Sequence, residues 1–384
     1  MNAERVLISG ATGFLGRQIV QVLLERLPEA RLALLVRERK GDAAARRLEA
    51  VVNQICPAER RRQALERIQV FPADISQQRC GLSEPERLSA LDGVTRVIHA
   101  AATVRFDHSL EEARRINLGG TANLLELAEQ AHRRGSLKSF TYIGTAFVAG
   151  RRSGLVREEE LETGQQFRNT YEQSKYEAER LVRARRPGLP VVILRPSVIV
   201  GDSRTGITTS FKTIYWPLKI YAQRRWRTVP GFPEAVLDIV PVNFVAEAVA
   251  HLALEEGAVG RCAHLCAGPS GCATLGQIAE FASAFFKLPP PRFVNPALFL
   301  ALLRPILFVA LWGPRRRILN DGRFYRPYFR MQATFDTSQA EQLLGPAGIR
   351  PPGVMEYLER LFRYCLESDW GSRPGAPHPT ACPL

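Results

Sequence analysis

Gly10-Ala11-Thr12-Gly13-Phe14-Leu15-Gly16 follows the apolar run Val6-Leu7-Ile8-Ser9 and leads into Ile19, Val22 and Leu23. The run before the glycines suits a buried strand, while Leu15, Ile19, Val22 and Leu23 recur at helical spacing and predict a helix. Strand, glycine turn and helix in that order make a dinucleotide cradle. The glycines let the backbone approach a pyrophosphate, and the helix N-terminus offers unpaired N–H groups with partial positive charge. Gly10, Thr12, Gly13, Phe14, Leu15 and Gly16 are therefore assigned to cofactor binding.

Further strands are expected at Leu32–Val36, Ile68–Phe71, Arg96–Ala100, Ser139–Ile143 and Val191–Leu194, separated by longer helical patterns. Strands alternating with helices predict an α/β chain with a doubly wound, Rossmann-type parallel sheet. After about Arg195 the pattern loosens into Pro- and Gly-punctuated segments with short helices at Val245–Glu255 and Leu275–Lys287. The expected organisation is a dinucleotide-binding domain over 1–200, carrying the Tyr/Lys helix described below. A smaller, mostly helical C-terminal substrate-capping region over 201–370 is partly interleaved with it, and a flexible tail rich in Pro, Gly and small residues covers 371–384.

The second strand ends in Leu35-Val36-Arg37, with Arg37 twenty-one residues beyond Gly16. An acidic residue there would bind a bare ribose diol, whereas a guanidinium suits a 2′-phosphate, so NADP(H) is the expected cofactor. Glu38 is adjacent, and a slip of one residue would exchange the two roles. Asp74 and Ile75 after the third strand, and Ala100, Ala101 and Ala102 after the fourth, fall at carboxyl ends of strands. There they would flank the adenine and pyrophosphate.

Tyr171-Glu172-Gln173-Ser174-Lys175 places a phenol and an ammonium one helical turn apart on one face. The ammonium favours the phenolate and is expected to draw its pKa toward the working range of an acid–base catalyst. Thr145, at the end of the fifth strand, offers a second hydroxyl to the same carbonyl oxygen.

The 384 residues carry 52 Lys and Arg against 38 Asp and Glu, a formal net charge of +14. That balance favours anionic partners: phosphorylated cofactors, a coenzyme A or carrier-protein substrate, or an acidic membrane surface. Zinc spacings, RNA-binding signatures and long basic helices are not seen, so nucleic acid is not the expected partner. Seven scattered cysteines, Cys56, Cys80, Cys262, Cys266, Cys272, Cys365 and Cys382, suggest reduced thiols in a cytoplasmic protein. Cys262, His264 and Cys266 share a face of a predicted strand, but further convergent ligands are not in view and no metal is expected. No signal peptide is expected before the first strand, because Arg5–Ser9 already begins the fold.

Two apolar segments stand apart. In Val294–Trp312, followed by Arg315-Arg316-Arg317, Arg304 and Pro305 sit in the middle. An arginine there costs a spanning helix roughly 3 kcal/mol, which argues against a transmembrane segment. A kinked helical pair covering an acyl-chain pocket, a monotopic patch giving peripheral membrane contact through 294–317, and a plain core helix remain open. Phe211, Ile214, Tyr215 and Leu218 lie at helical spacing, interrupted by Pro217, and suit either a mobile cap over an acyl chain or ordinary packing.

The chain resembles the extended short-chain dehydrogenases/reductases and, more narrowly, the fatty acyl-CoA reductases and the thioester reductase domains of carboxylic acid reductases and peptide synthetases. The stretches that carry the resemblance are Gly10 to Gly16, Leu35-Val36-Arg37, His99-Ala-Ala-Ala-Thr-Val-Arg-Phe-Asp107, Asn117-Leu-Gly-Gly-Thr121, Thr145-Ala146, Tyr171 to Lys175 and Arg195-Pro-Ser-Val-Ile-Val-Gly-Asp202. It runs from near residue 5 to about 270, with a weaker echo to about 366.

The resemblance implies that Thr145, Tyr171 and Lys175 form the catalytic triad and that Asn117 orients the lysine through a water. It also implies that Pro196, Ser197 and Val198 border the nicotinamide. Two positions depart from the family pattern: Gly144 stands where Ser is usual, and Asn243 where Asp is usual. The implied activity is NADPH-dependent reduction of a fatty acyl thioester, on coenzyme A or a carrier protein, to an aldehyde or onward to an alcohol. The alternatives are an NAD(P)-dependent epimerase, dehydratase or hydroxysteroid-type dehydrogenase on the same scaffold, and a non-catalytic NADP-binding regulator.

Overall fold

The computed structural model describes residues 4–39, 41–310 and 312–373. Seven strands form one sheet: β1 (Arg5–Ser9), β2 (Arg31–Val36), β3 (Ile68–Pro72), β4 (Arg96–His99), β5 (Ser139–Ile143), β6 (Val191–Pro196) and β7 (Cys262–Leu265). Their spatial order is β7-β6-β5-β4-β1-β2-β3, and every neighbouring pair is parallel. The order reverses between β1 and β4, which opens a crevice at their carboxyl ends. The first six strands lie within two residues of their sequence-based positions. β7 is the strand read around His264, and the register Cys262 to Ile193 sets it on the sheet edge beside β6.

Alternate residues of these strands feed two cores, as the two-residue period of a strand requires. Ile8, Leu34 and Leu194 pack with Ile19 and Leu23 of α1 (Phe14–Arg26) and with the helix Val242–Leu254. Leu7, Leu35, Val97 and Phe140 face the other way, onto the helices Leu110–Arg133 and Thr170–Ala184. In chain order the layer helices are α1, α2 (Ala44–Ile55), α3 (Leu110–Arg133), α4 (Thr170–Ala184) and α5 (Val242–Leu254). Since α5 and β7 come from beyond residue 201, the second half of the chain contributes directly to the sheet layer.

The rest of that half builds over the carboxyl edge from small pieces. Val198–Val200 pairs with Ile239–Pro241, Thr228–Pro230 with Arg292–Val294, and Gly154–Val156 with Ala333–Phe335. The helix Tyr215–Ala222 tolerates Pro217 because it falls in the first turn, where the missing N–H has no intrahelical partner to lose. Residues 296–310 form a continuous helical stretch that widens to a π-turn over Phe299–Leu303. Pro305 removes a backbone donor there and loosens the i to i−4 ladder. That stretch is not a core helix, since most of its large apolar side chains are exposed. The tail expected to be flexible lies, from residue 374 onward, outside the described residues.

Candidate active site

The turn after β1 is built by its own glycines. Gly10 has φ of +81°, and a Cβ on it would stand 2.6 Å from the Ala101 nitrogen; a Cβ on Gly16 would overlap the Gly10 carbonyl oxygen. Gly13 donates its N–H to Gly10 O at 2.9 Å. It then caps α1 with no side-chain hydrogen bond, and no acidic residue occupies the first helical turn. The leading N–H groups of α1 are thus left for an anion, so these residues fit a dinucleotide pyrophosphate.

Behind the turn, Ser9 Oγ meets His99 Nδ1 at 2.7 Å, and His99 Nε2 meets Thr121 Oγ1 at 3.0 Å. Burial, reinforced by Lys175, pushes His99 down to about 3, so a neutral ring ties the ends of β1 and β4 to α3.

A single cavity of ≈1250 Å³ runs along the carboxyl edge. Its inner end is walled by Gly10, Gly13, Phe14, Leu15 and Gly16 and by Ala100 and Ala102. Thr145, Tyr171, Lys175, Pro196, Ser197 and Val198 follow along the same cavity. The outer arm is apolar, with Phe211, Leu218, Val229, Ile278, Phe299 and Phe329 on its walls. The volume exceeds that of a pocket for one small ligand, and leaves room for a dinucleotide and an apolar chain together. Of the four residues read at 211–218, Phe211, Ile214 and Leu218 line this arm, while Tyr215 is buried and accepts the Gly201 N–H at 2.8 Å.

Each hydroxyl and amine is held by local structure. Thr145, two residues beyond β5, accepts the Phe147 N–H at 3.3 Å, which starts the short 3₁₀ turn Ala146–Ala149. Asn169 caps α4 by accepting the Glu172 N–H at 3.0 Å, setting Tyr171 in the first turn and Lys175 one turn on. Burial pushes the Tyr171 hydroxyl up to about 12, against a hydrogen bond with Thr145 that pulls it down. Lys175 is held down to about 7 by burial, with Glu179 opposing. Its Nζ donates to Ile143 O at 2.8 Å and lies 4.3 Å above the Tyr142 ring. The ammonium is thus engaged with the β5 backbone, and the phenol has not been drawn down as the residue spacing alone suggested.

Because Lys175 titrates far below an ordinary lysine, its buried charge costs stability below about pH 7, and the cost fades as pH rises toward the unfolded value near 10.5. Lys175→Met is expected to stabilise the fold by roughly 1–4 kcal/mol below pH 7, with the gain vanishing by about pH 10. Denaturation midpoints across pH check this, and a gain independent of pH would reject it.

Several assigned residues lie behind or beside the cavity wall. Ala101 donates its N–H to Ser9 Oγ at 3.4 Å. Asp74 accepts from Ser76 N and Oγ in a tight turn, and Ile75 fills the notch left by Gly120. Asn117 donates to Ser174 Oγ at 2.9 Å and to Thr103 O at 3.2 Å, and accepts the Thr103 N–H at 2.8 Å. It clamps the loop after β4 to α4, one residue before Lys175. The two departures from the family pattern have local reasons. A Cβ on Gly144 would already stand 3.3 Å from Glu179 Oε2 and from the Tyr142 ring, leaving little space for a serine. Asn243 accepts the Ser203 N–H at 2.9 Å and closes the turn after Gly201.

Sequence reasoning missed three parts of the site. Arg47, on α2, donates to Thr12 Oγ1 at 2.9 Å and to the Arg37 carbonyl. Arg17 donates to Thr12 O at 3.0 Å, and Arg39 joins the cavity wall. Glu38 is drawn away to the start of α2, accepting the Ala44 N–H at 3.4 Å, while Arg37 is exposed. Asp238, fully buried, accepts the N–H groups of Ala267 and Gly268 at 2.9 and 3.1 Å beside Ser197. Tyr328 donates to Glu172 Oε1 at 2.9 Å and stacks on Phe106 across the cavity. No spacing signal in the sequence marks Arg47, Asp238 or Tyr328, because each reaches the site from a distant segment, while Arg17 and Arg39 adjoin the glycine turn and the end of β2 without a pattern that sets them apart from surface arginines. His264 is engaged by Asp336 O at 2.7 Å and by the Arg195 guanidinium, and among the described residues no cluster of His, Cys, Asp or Glu could hold a metal.

A seven-stranded parallel sheet with a glycine turn after β1, and a Thr, a Tyr and a Lys converging at its carboxyl edge, defines an extended short-chain dehydrogenase/reductase. Residues 8–249 match the family described as male sterility protein, an NAD-binding family, and the chain belongs to it. It is 29% identical over 280 residues to the fatty acyl-CoA reductase wat of Drosophila melanogaster, covering 64% of this chain and 53% of the relative. It is also 29% identical over 276 residues to a linear gramicidin synthase of Brevibacillus parabrevis, covering 68% of this chain and 5% of that protein. Among solved structures, the terminal R domain of the myxalamid biosynthetic pathway superposes with a TM-score of 0.81 at 26% identity, covering 97% of this chain and 92% of that one. The chain spans about half the length of the Drosophila and human fatty acyl-CoA reductases it matches.

Proposed function

We propose that the protein reduces fatty acyl thioesters with NADPH. The observation that carries the reading is that Thr145 and Tyr171 line the same cavity as the glycine turn and a set of apolar side chains that includes Phe211, Leu218 and Phe299. A reduced nicotinamide bound at that turn supplies the hydride. The protein supplies the rest. The thioester carbonyl oxygen accepts hydrogen bonds from Thr145 and Tyr171, so negative charge developing on it meets donors already in place. Tyr171 passes its proton to that oxygen, and Lys175, beside it on α4, restores the phenol's proton while Asn117 steadies the helix through Ser174. When the resulting hemithioacetal returns its hydroxyl proton to the Tyr171–Lys175 pair, the C–S bond breaks, the sulfur leaves as a thiolate that takes a proton from solvent, and an aldehyde remains. The apolar arm holds the acyl chain. The division near residue 200 into a cofactor domain and a capping region belongs to the same reading.

NADP(H) is favoured over NAD(H) by the basic set around the turn, Arg17, Arg37, Arg39 and Arg47, together with the engagement of Glu38 elsewhere. Charge-assisted hydrogen bonds of this kind contribute about 1.5–3 kcal/mol. Arg47→Ala is expected to raise KM for NADPH roughly 10-fold or more and to leave that for NADH within about twofold. Equal losses with both coenzymes would remove the arginine from 2′-phosphate recognition.

The test of the function itself is NADPH oxidation with acyl-CoAs of graded length and with the matching aldehydes. Turnover with the thioesters supports the reading, and the aldehyde arm shows whether a second hydride follows. No turnover with either, in a protein that purifies with NAD held tightly, would point to the epimerase or dehydratase alternative.

A further inference from the structure

The outer wall of the apolar arm has a second face. Phe299, 3% exposed, turns inward to line the cavity, while around it Leu298 is 58% exposed, Ile306 64%, Val309 76% and Trp312 78%. Single exposed aliphatics are normal on a protein surface, but large apolar side chains grouped on one short element mark a contact surface. The charge around it is one-sided. From residue 281 to 320 the chain has no Asp or Glu and six Lys or Arg. Arg316 stands 3.9 Å over the Phe308 ring, which brings a cation up to the apolar face. Arg304 sits within the apolar stretch, half-buried, with its Nε lacking a hydrogen-bond partner in the protein.

We propose that residues 296–312 are an interfacial attachment site that seats the protein on the surface of an anionic phospholipid bilayer. The apolar side chains enter the headgroup boundary, and the basic residues beside them meet lipid phosphates. The element lies in the surface plane. Its fifteen helical residues, 296–310, extend about 22 Å, short of the ~30 Å hydrocarbon core, and among the described residues no helix is long and apolar enough to cross a membrane. A lipid surface is favoured over a protein partner because both halves of the patch match it, aliphatic and tryptophan side chains for the acyl boundary and, for the phosphates, basic residues such as Arg316 in a stretch, 281–320, that has no acid in its sequence. The proposal goes beyond the reductase reading and does not rest on it, but the two meet at Phe299: the attached element is also a wall of the cavity.

Flotation of the full chain with phosphatidylcholine vesicles, with and without phosphatidylglycerol, tests this. The expected result is flotation with the anionic vesicles and little with the neutral ones. Ile306→Glu/Val309→Glu, away from the cavity, should lower partition onto anionic vesicles by roughly 100-fold. Its thermal midpoint and cofactor binding should stay at the wild-type values. Failure of the wild-type chain to float with anionic lipid overturns the proposal, as does undiminished flotation of the double variant. A dimer in lipid-free solution that the double variant splits, with no vesicle binding, would assign the face to a second copy instead. None of these readouts depends on turnover, so they stand or fall apart from the reductase assignment.

Discussion

Tyr171→Phe is expected to lower kcat for thioester reduction by roughly 100- to 10,000-fold, the range attributed to a positioned proton donor. The substitution removes one oxygen and leaves the ring. Phe106, 5.9 Å away between ring centroids, keeps its neighbour, and the asparagine cap that starts α4 is untouched. Affinity for NADPH should stay within about threefold, because the glycine turn and its arginines lie outside the change. With Tyr171 pushed up to about 12, the hydroxyl remains protonated across the ordinary pH range in the ligand-free protein, as a donor must. Steady-state rates with a long-chain acyl-CoA, set beside direct titration of NADPH, would separate the two effects. Retention of more than about a tenth of the rate would transfer the donor role to another group, Thr145 being the nearest candidate. Loss of NADPH binding together with the rate would show a structural defect.

Arg195→Met should destabilise the fold by about 3–5 kcal/mol, the cost of leaving a buried partner charge unpaired. Arg195 and Glu179 are both fully buried and joined at two points, Nη2 to Oε1 at 2.6 Å and Nε to Oε2 at 2.9 Å. The same guanidinium donates to the carbonyls of Glu158 and Glu160, each at 3.0 Å, and so fastens the segment after the Gly154–Val156 strand to β6. Without it, Glu179 retains only Arg183, at 3.0 Å, of its two arginine partners. Burial opposes its ionisation, so it is the pair of arginines that holds its carboxyl below the usual range. The double variant Arg195→Met/Glu179→Leu should recover a large part of the loss, since removing both charges removes the desolvation cost as well. Denaturant midpoints of the three variants test this. A single variant within about 1 kcal/mol of wild type would mean that water or a shifted side chain compensates Glu179.

These two residues show different degrees of legibility. Tyr171 and Lys175 can be read from the chain because a four-residue spacing on a helix puts two side chains on one face whatever surrounds them. Arg195 is legible as part of the Arg195-Pro-Ser-Val motif that carries the family resemblance, but not as one half of a buried ion pair, because Glu179 lies sixteen residues earlier on another element. The proximity of Lys175 to Tyr171 is legible too, and its electrostatic consequence is not. The lysine's hydrogen bond to Ile143 O and its seat over Tyr142 depend on how α4 lies against β5.

Residues 5–26 read as strand, turn and helix from the chain alone, and so do the strands of the sheet, the doubly wound class and the Thr145, Tyr171 and Lys175 set. All of these are local: period-two and period-3.6 patterns and glycine turns need only neighbouring residues to express them. The placing of β7 on the sheet edge beside β6, and the reach of Arg47 from α2 to Thr12, emerge only from the folded chain. The same holds for the bond from Tyr328 to Glu172, and for the two-sidedness of residues 296–309, one side toward the cavity and the other outward. The hydrogen bonds made by Arg47 and Tyr328 join residues 35 and 156 positions apart, and pairings at such separations are set by the packing of whole elements rather than by the periodicity of either one.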